Sequence, residues 1–497
     1  MIKKALVALT SLVGVACTTL SFSSYSQTLN NILVSSKDNL STTKLEQIIN
    51  PYLGKEIDLN LLQSILNEIS AFYQAQGYLA AQAFYPEQEC SDGVIKVVVS
   101  AANLHEIKLN NQSKTSQATA YRLINKLQIE QGKAIDSNTI NSHLLKLKDL
   151  NVVDVSGFFS NYNDSEVNLN LDLTDRTPHA FDIFYDNYGT KSSGEHRLVG
   201  IYNGSNLFKL ADTTCFYAST TNESQNNFGF DFRLPVNSNL DVAGVSFSYG
   251  NYDLADIYEE LDANGQMLNL EGLYLSPIYY TSANRVKLGF SPYYKSMKDN
   301  FDAFDFHIKK SSFGSKVHLD HNLFLQDLYS QSKFTVNFGK LKYDDNYFGK
   351  YPNHNFVFFN LDNQILVPLP YDLSIINHLQ VQYSNTYLDA SDKFTLGGAY
   401  AVKAYQSNLA SADIALFDDI KLQHRLNTYS NVYVNFMQAH GKNVDSNRAS
   451  LYGIGVGGNF NYQGFYLSPS LNTAIGAYQD LAKDDAKFLL KFGYTNI

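Results

Sequence analysis

Length, composition and charge already limit what this protein can be. The chain has 497 residues, which predicts two to four domains, and it combines 35 Tyr and 32 Phe with no Trp and only 17% charged residues. Its formal net charge of −10 provides no basic surface to neutralise phosphates, which argues against a nucleic-acid-binding protein.

The chain begins with a predicted secretory signal peptide, residues 1–26. Lys3 and Lys4 supply a positive start, an apolar run follows from Ala5 to Ala16, and the small residue Ser26 offers a cleavage position. The apolar run is too short to span a bilayer. We therefore expect export of the mature chain, and no transmembrane helix after residue 27.

Past the signal peptide, helical and strand periodicities are mixed. Leu62, Ile65 and Ile69 recur at helical spacing and predict the core face of an amphipathic helix, and the segment GVIKVVVSA predicts a strand after it. The order strand, helix, helix, strand, strand is found in residues 28–102 and again in residues 103–176. This repeat predicts two small α+β domains of about 70 residues each.

From residue 177 to residue 497 the helical period disappears. In SKFTVNFGK, for example, Phe334, Val336 and Phe338 share one face, and the residues between them are small or polar. So many alternating, aromatic-rich strands present more apolar surface than the core of one water-soluble domain can bury. They therefore indicate a transmembrane barrel whose outer face is apolar and whose inner face is polar. At about 20 residues for each strand with its loop, the segment predicts a 16-stranded barrel and a mostly β protein.

Five stretches carry a resemblance to a known family. FYQAQGYLAAQAFYPEQECSDGVIKVVVSAANL looks like the end of a first POTRA module, and DNYGTKSSGEHRL is similar to the family's first barrel strand. GSNLFKLAD, FTLGGAYAVKAYQS and YVNFMQAHGK follow in the family's order. Together they resemble the two-partner secretion transporters (TpsB type), whose barrels follow two POTRA modules. The POTRA motif residues are Tyr73, Gly77, Tyr78, Pro86, Gln88 and Gly93.

The resemblance implies a function and a location. The POTRA modules would lie in the periplasm of a Gram-negative bacterium and bind a large exoprotein that is still unfolded, and a monomeric barrel in outer-membrane lipid would conduct it outward. The first predicted strand, NNILVSS, begins almost at the expected cleavage position. We therefore expect no room for the pore-plugging helix that many family members carry, and hence a higher resting conductance.

The resemblance also implies a loop that folds into the barrel, near residues 397–412. The family usually has Val-Arg-Gly followed by Tyr or Phe at the tip of this loop, and an acidic residue on the strand that the tip contacts. The corresponding tip residues here are Val402, Lys403, Ala404 and Tyr405. The expected anchoring strand contains Phe436, Gln438 and Gly441.

The partner of Lys403 is open between two possibilities. Gln438, at the position of the family's acid, offers a neutral carbonyl acceptor. Asp418 and Asp419 follow the loop, and because strand residues alternate, one of them should point into the lumen. The first pairing would hold the loop by a hydrogen bond, and the second would keep a charge pair.

Other classes of protein fit less well. A barrel-assembly factor usually carries three to five POTRA modules, and a passive solute porin carries none. GIGVGG at 453–458 does not open a helix, so it predicts a glycine-lined barrel strand and no nucleotide site. No metalloprotease or serine-hydrolase motif is found, and the 11 His are scattered. We therefore expect neither an enzyme nor a bound metal or other cofactor.

Overall fold

The fold is described from a computed structural model, in which two compact units separate near residue 175. The structure describes residues 28–36, 45–76, 78, 81–88, 92–100, 103–128, 132, 136–163, 166–176, 179–223, 225–344, 353–407, 409–444, 448–476 and 486–496. The predicted signal peptide and Gly77 of the POTRA motif lie outside these residues.

The first module is a three-stranded sheet with its helices packed on one face. Its elements are β1 (Asn31–Ser36), α1 (Glu46–Ile49), a 3-10 turn (Asn50–Tyr52), α2 (Leu59–Ala75), β2 (Gln82–Phe84) and β3 (Val94–Ser100). The strand order is β1–β3–β2, in which β3 is parallel to β1 and antiparallel to β2. Both β1 and β2 are therefore edge strands.

Helix α2 supplies the core of this module. It begins after Asp58, whose carboxylate accepts the Leu61 N–H at 2.6 Å and so satisfies one of the free donors at the start of a helix. The predicted core residues Leu62, Ile65 and Ile69 are 5% exposed or less and pack against the sheet. The sequence periodicity therefore identified the buried face.

The second module repeats this order. Its elements are β4 (Asn103–Asn111), α3 (Gln117–Gln128), α4 (Ser137–Asp149), β5 (Val153–Asn163) and β6 (Glu166–Asp175), with the strand order β4–β6–β5. His143 of α4 is buried and donates from Nε2 to the Leu123 carbonyl of α3 at 2.7 Å. Burial penalises the imidazolium, so the pKa of His143 is lowered to about 4.

Sixteen of the eighteen remaining described strands form a closed barrel, which confirms the predicted fold class. The barrel strands are β7 (His179–Asp186), β8 (Arg197–Ser205), β9 (Thr213–Thr221), β10 (Asn226–Pro235), β11 (Val242–Asp253), β12 (Ala263–Tyr280), β13 (Asn284–Phe301), β14 (Phe306–Leu325), β15 (Leu328–Tyr343), β16 (His354–Pro368), β17 (Leu373–Ser384), β20 (Ile414–Asn427), β21 (Ser430–Lys442), β22 (Arg448–Tyr462), β23 (Phe465–Ile475) and β24 (Lys487–Thr495). A two-stranded ribbon, β18 (Phe394–Thr395) and β19 (Ser411–Ala412), lies between β17 and β20.

The strand faces follow the alternation in the sequence. Phe334 and Phe338 of β15 are 44% and 40% exposed on the outer face, and Asn337 between them is buried on the lumen side and donates to Asn360. DNYGTKSSGEHRL covers only the last residue of the first barrel strand, because β7 ends at Asp186 and β8 begins at Arg197. In the described part of the chain no helix is both long and apolar enough to cross a membrane.

The barrel closes at a short seam between β24 and β7. Only five residue pairs join these strands, from Lys491–Asp186 to Thr495–Asp182, and this is the smallest number between barrel neighbours in the described residues. At one end the Asn187 side chain donates to the Phe488 carbonyl at 2.9 Å and accepts the Leu490 N–H at 2.8 Å. At the other end the Asn496 side chain accepts the Phe181 N–H at 2.6 Å. Two asparagine side chains therefore extend the hydrogen bonding of the seam.

Candidate functional site

The segment between β17 and β20 folds into the barrel and forms a compact tip. The β18–β19 ribbon forms its stem, and Gly397 bridges Val402 at the tip. Gly398 has φ +97°, a conformation that favours glycine, and its N–H donates to the Tyr405 carbonyl at 3.0 Å. These local bonds give the tip a defined shape before it meets the wall.

The tip is held mainly by apolar contact. Val402 and Tyr405 are 0% and 1% exposed and pack in one cluster with wall residues of β20, β21 and β22. Those wall residues are Phe417, Met437, Ala439 and Leu451. On β22, a Cβ added to Gly453 would lie 3.0 Å from Val402 Cγ1, so the glycine leaves the space that the valine occupies.

Lys403 is paired with Asp419, one of the three candidate partners that the sequence left open. Its Nζ lies 4.0 Å from Asp419 Oδ2, and it also faces the Tyr433 ring at 5.9 Å from the ring centre. Asp419 accepts a second contact from Asn435 Nδ2 at 2.7 Å. The charge pair is long and the Lys403 side chain is 18% exposed, so this contact is weaker than a well-made buried ion pair.

The expected anchoring strand, β21, does contact the loop, but Gln438 and Phe436 point away from it. Phe436 is 36% exposed on the outer face of β21, and Gln438, two residues on, lies on the same face. Gln438 Nε2 donates to Asp418 at 3.3 Å, and Asn377 donates to the same carboxylate at 2.5 Å. The strand period places Asn435, Met437 and Ala439 inward instead.

Gly441, the third residue of the expected anchoring strand, does lie beside the loop. A Cβ at this position would come within 2.5 Å of Leu396 and 2.8 Å of Ala412. The absence of a side chain at Gly441 therefore allows the stem of the loop to approach the wall closely. Ala404, at the tip, is 6% exposed in the same cluster as Val402.

A second set of contacts holds the base of the loop. Asp389 pairs with Lys310 of β14 at 2.7 Å, and Asp392 pairs with Lys295 of β13 at 2.5 Å. Asp413 is fully buried and accepts the Leu388 N–H at 3.0 Å. The loop is thus attached to the wall at its base by charges and at its tip by apolar packing.

The described POTRA motif residues, Tyr73, Tyr78, Pro86, Gln88 and Gly93, lie in the first module, where they support the fold. Tyr73 is 1% exposed, and its ring meets the Tyr78 ring edge to face at 6.5 Å. The Gln88 side chain donates to the Lys96 carbonyl and accepts the Lys96 N–H, both at 2.8 Å, and so pairs with β3 as a strand would. Pro86 precedes this contact in the same connecting segment.

Gly93 occupies a position that only glycine can fill easily. Its φ is +69°, and a Cβ there would lie 2.1 Å from the Thr28 carbonyl oxygen. Its own carbonyl accepts the Asn30 N–H at 2.8 Å. The motif therefore holds β1 against the turn that leads into β3.

Several residues at this site were not predicted from the sequence. Asn435 and Met437 could have been found by applying the two-residue period to β21. Arg197 of β8, which binds the loop at Tyr400, and the base pair Lys310–Asp389 carry no local signal, because each pairs with a residue distant in sequence. In the described residues no cluster of His, Cys, Asp and Glu has the composition to hold a metal ion.

Comparison with known proteins gives the family. Residues 27–101 match the POTRA domain, ShlB-type, and residues 163–437, more than half of the chain, match the haemolysin secretion/activation protein ShlB/FhaC/HecB. The heme/hemopexin transporter protein HuxB of Haemophilus influenzae (strain 86-028NP) is 26% identical over 421 residues, covering 80% of this chain and 72% of that protein. The outer membrane transporter CdiB of Dickeya dadantii (strain 3937) is 28% identical over 214 residues, covering 42% of this chain and 35% of that protein.

Solved structures show the same fold. CdiB from Escherichia coli superposes with a TM-score of 0.78 at 16% identity, covering 99% of this chain and 95% of that chain. CdiB from Acinetobacter baumannii superposes with a TM-score of 0.72 at 16% identity, covering 96% and 91%. With two POTRA-type modules, a sixteen-stranded barrel and a loop folded into it, the chain belongs to the haemolysin secretion/activation protein family ShlB/FhaC/HecB, the outer-membrane transporters of two-partner secretion.

Proposed function

We propose that this chain binds an unfolded exoprotein in the periplasm and conducts it through its own barrel to the cell surface. The observation that carries the proposal is the loop folded into the barrel, whose tip is packed against β20–β22 and whose base is paired with β13 and β14. A loop in this position must move before an extended polypeptide can pass. We assign residues 1–26 to the signal peptide, 28–102 and 103–176 to the two modules, and 177–497 to the barrel.

Capture is proposed to occur by strand addition. In the second module β5 is an edge strand of eleven residues, Val153–Asn163, so its outer backbone groups have no strand partner within this sheet. Phe158 of this strand is 50% exposed. An unfolded segment can add to such an edge through main-chain hydrogen bonds, while Phe158 gives its side chains an apolar contact.

Transport of the polypeptide needs no catalytic group in this proposal. Charged side chains inside the barrel form ion pairs with one another, as Lys316 does with Glu271 at 2.7 Å. The partner is a large secreted exoprotein of the two-partner type, and the barrel acts as a monomer without a cofactor. Membership of the haemolysin secretion/activation protein family supports a secreted protein cargo over a small solute.

A reversible tether of the loop tests the proposal. A Cβ at Gly453 would lie 3.5 Å from Ala404 Cβ, within the range for a disulfide, so Ala404→Cys with Gly453→Cys should lock the tip to β22. The remaining cysteines of the mature chain, Cys90 and Cys215, are changed to Ser. We expect secretion of the partner to stop when the pair is oxidised and to recover with reductant.

The controls separate transport from assembly. Each single-cysteine variant should secrete at the same level under oxidising and reducing conditions, because neither can form the cross-link. Normal secretion by the fully cross-linked protein would overturn the proposed passage through the barrel. If the oxidised protein instead lowered the amounts of other outer-membrane proteins, a role in barrel assembly would replace it.

A further inference from the structure

The loop tip contacts both sides of the seam of the barrel. Tyr400, at the start of the tip, reaches the wall at β8, which is paired with β7 on one side of the seam. Tyr405, at the end of the tip, reaches β24 on the other side. These contacts are separate from the apolar cluster that holds Val402 on β20–β22.

On the first side, Arg197 forms a fixed receptor for the tyrosine. Its guanidinium makes two parallel bonds to Asp186, from Nε at 2.7 Å and from Nη2 at 2.9 Å, and Asp186 is fully buried. Nη2 also donates to the Tyr400 hydroxyl at 2.9 Å. The guanidinium lies 5.8 Å from the ring centres of both Tyr188 and Tyr400. A planar fork held at a carboxylate and against two rings has little freedom to turn away.

The position of Asp186 connects this receptor to the seam. Its backbone pairs with Lys491 of β24, and this is the last of the five pairs on the side where β7 ends. A continuous chain of contacts therefore runs from Tyr400 through Arg197 and Asp186 to the closing pair. A shift of the loop tip acts on Asp186 through one intervening side chain.

On the second side, Lys487 begins β24 and binds the tip backbone. Its Nζ donates to the Tyr405 carbonyl at 3.3 Å. An open cavity of about 190 Å³ lies between the tip and the seam, and Asn187, Glu195, His196, Gln406 and Lys487 are among its lining residues. Polar side chains therefore line much of the space beside the Lys487 contact.

We propose that the loop tip acts as a staple across the seam, the shortest strand pairing among the described residues of the barrel. On one side Tyr400 binds β7–β8 through Arg197. On the other side the Tyr405 carbonyl binds Lys487 of β24. Withdrawal of the loop then has two effects, since it clears the lumen and removes the ties across the seam. This coupling concerns the barrel itself and holds for any cargo.

Hydrogen–deuterium exchange on the full-length protein in lipid nanodiscs tests the coupling. Tyr400→Phe keeps the ring and removes only the hydroxyl contact, and Lys487→Met removes the contact to the Tyr405 carbonyl. Loss of one such bond should raise the exchange rate of the β7 and β24 amides about 3- to 10-fold. Amides of the β14–β15 pairing, joined by sixteen residue pairs, provide the internal reference and should not change.

Three further variants make the test more specific. Tyr387→Phe makes the same chemical change in the same loop, beside Lys393, and should leave seam exchange unaltered. Arg197→Lys keeps the charge but loses the fork, so it should raise seam exchange at least as much as Tyr400→Phe. The double variant Tyr400→Phe/Lys487→Met should exceed either single variant.

The staple is overturned if seam exchange in Tyr400→Phe and Lys487→Met equals that of Tyr387→Phe. It is also overturned if exchange rises equally in β14–β15, because the substitutions would then loosen the whole barrel. Both outcomes are read from exchange alone, so they are distinct from a failure of secretion.

Discussion

The apolar contacts of the loop tip, and not its cation, should decide whether the loop stays inside the barrel. We compare two perturbations of the same tip. The first, Val402→Ala with Tyr405→Ala, removes the buried side chains but keeps the charge. The second, Lys403→Met, removes the charge but keeps most of the volume.

The structure sets the expected sizes. Val402 and Tyr405 are 0% and 1% exposed, and truncating a buried valine and a buried aromatic costs together about 5 kcal/mol. The Lys403–Asp419 pair is 4.0 Å long with the lysine side chain 18% exposed, and its removal should cost about 1 kcal/mol. About 1.4 kcal/mol corresponds to a factor of ten in an equilibrium constant. The apolar double variant should therefore raise the equilibrium constant for loop release more than about 100-fold above its value in Lys403→Met.

A cysteine at position 404 reports release. Ala404 is 6% exposed, so Ala404→Cys in a background without other cysteines should react with a membrane-impermeant maleimide only when the tip leaves the wall. We expect the labelling rate to rise more than about 100-fold with the apolar double variant and less than about 10-fold with Lys403→Met. Phe304, 68% exposed in the β13–β14 turn, gives the fully reactive control as Phe304→Cys.

Apolar anchoring of the tip is refuted if Lys403→Met labels as fast as the apolar double variant. The charge would then hold the tip, and the long pair to Asp419 would be stronger than its geometry indicates. Equal labelling of Ala404→Cys in all backgrounds, at the rate of the Phe304→Cys control, would show that the tip does not rest on the wall.

Three other predictions follow from features outside the tip. The fragment 28–175, expressed alone, should be folded by circular dichroism and bind the unfolded N-terminal part of the partner; an unfolded fragment would refute the module boundary. His143 has a folded pKa of about 4 against 6.5 when exposed, so its contribution is intact above pH 6.5 and is lost as the pH falls toward 4; urea unfolding of the fragment should show up to about 3 kcal/mol of loss, absent in His143→Leu. Asn187→Ala and Asn496→Ala should each lower the temperature at which the barrel unfolds in semi-native electrophoresis, and a loss no greater than that of an exposed Asn→Ala control would count against their role at the seam.

The fold could be predicted from the sequence because the hydrophobic periodicity of short segments identifies its helices and strands. Leu62, Ile65 and Ile69 carry the helical period, and Phe334, Val336 and Phe338 carry the strand period, so both the modules and the sixteen strands follow from short segments. The strand period also predicts that Asp418 and Asp419 face opposite sides, and the structure places Asp419 toward Lys403.

The contacts of the site could be predicted from the sequence only in part. The family motif aligns Gln438 with the family's acid, but the inward residue of β21 that binds Asp419 is Asn435, an odd number of positions away. An odd offset moves a strand residue to the opposite face, so the error changed the side as well as the partner. Arg197 and Tyr400 are 203 positions apart, and only closure of the barrel brings them together.

The short seam also has a consequence for how the barrel forms. The other barrel pairings join strands that follow one another along the chain, whereas the seam joins its first and last strands, as in the bond between Asn187 and Phe488 with a separation of 301. Local hairpins can form as soon as their two strands are present, but the closing pair requires the last barrel strand and carries the largest loss of chain entropy. Until then β7 and β24 are two open edges, each able to pair with a foreign strand. Before closure, the first and last strands of such a barrel therefore need protection, and the five pairs of the seam are the contacts that remove these two edges.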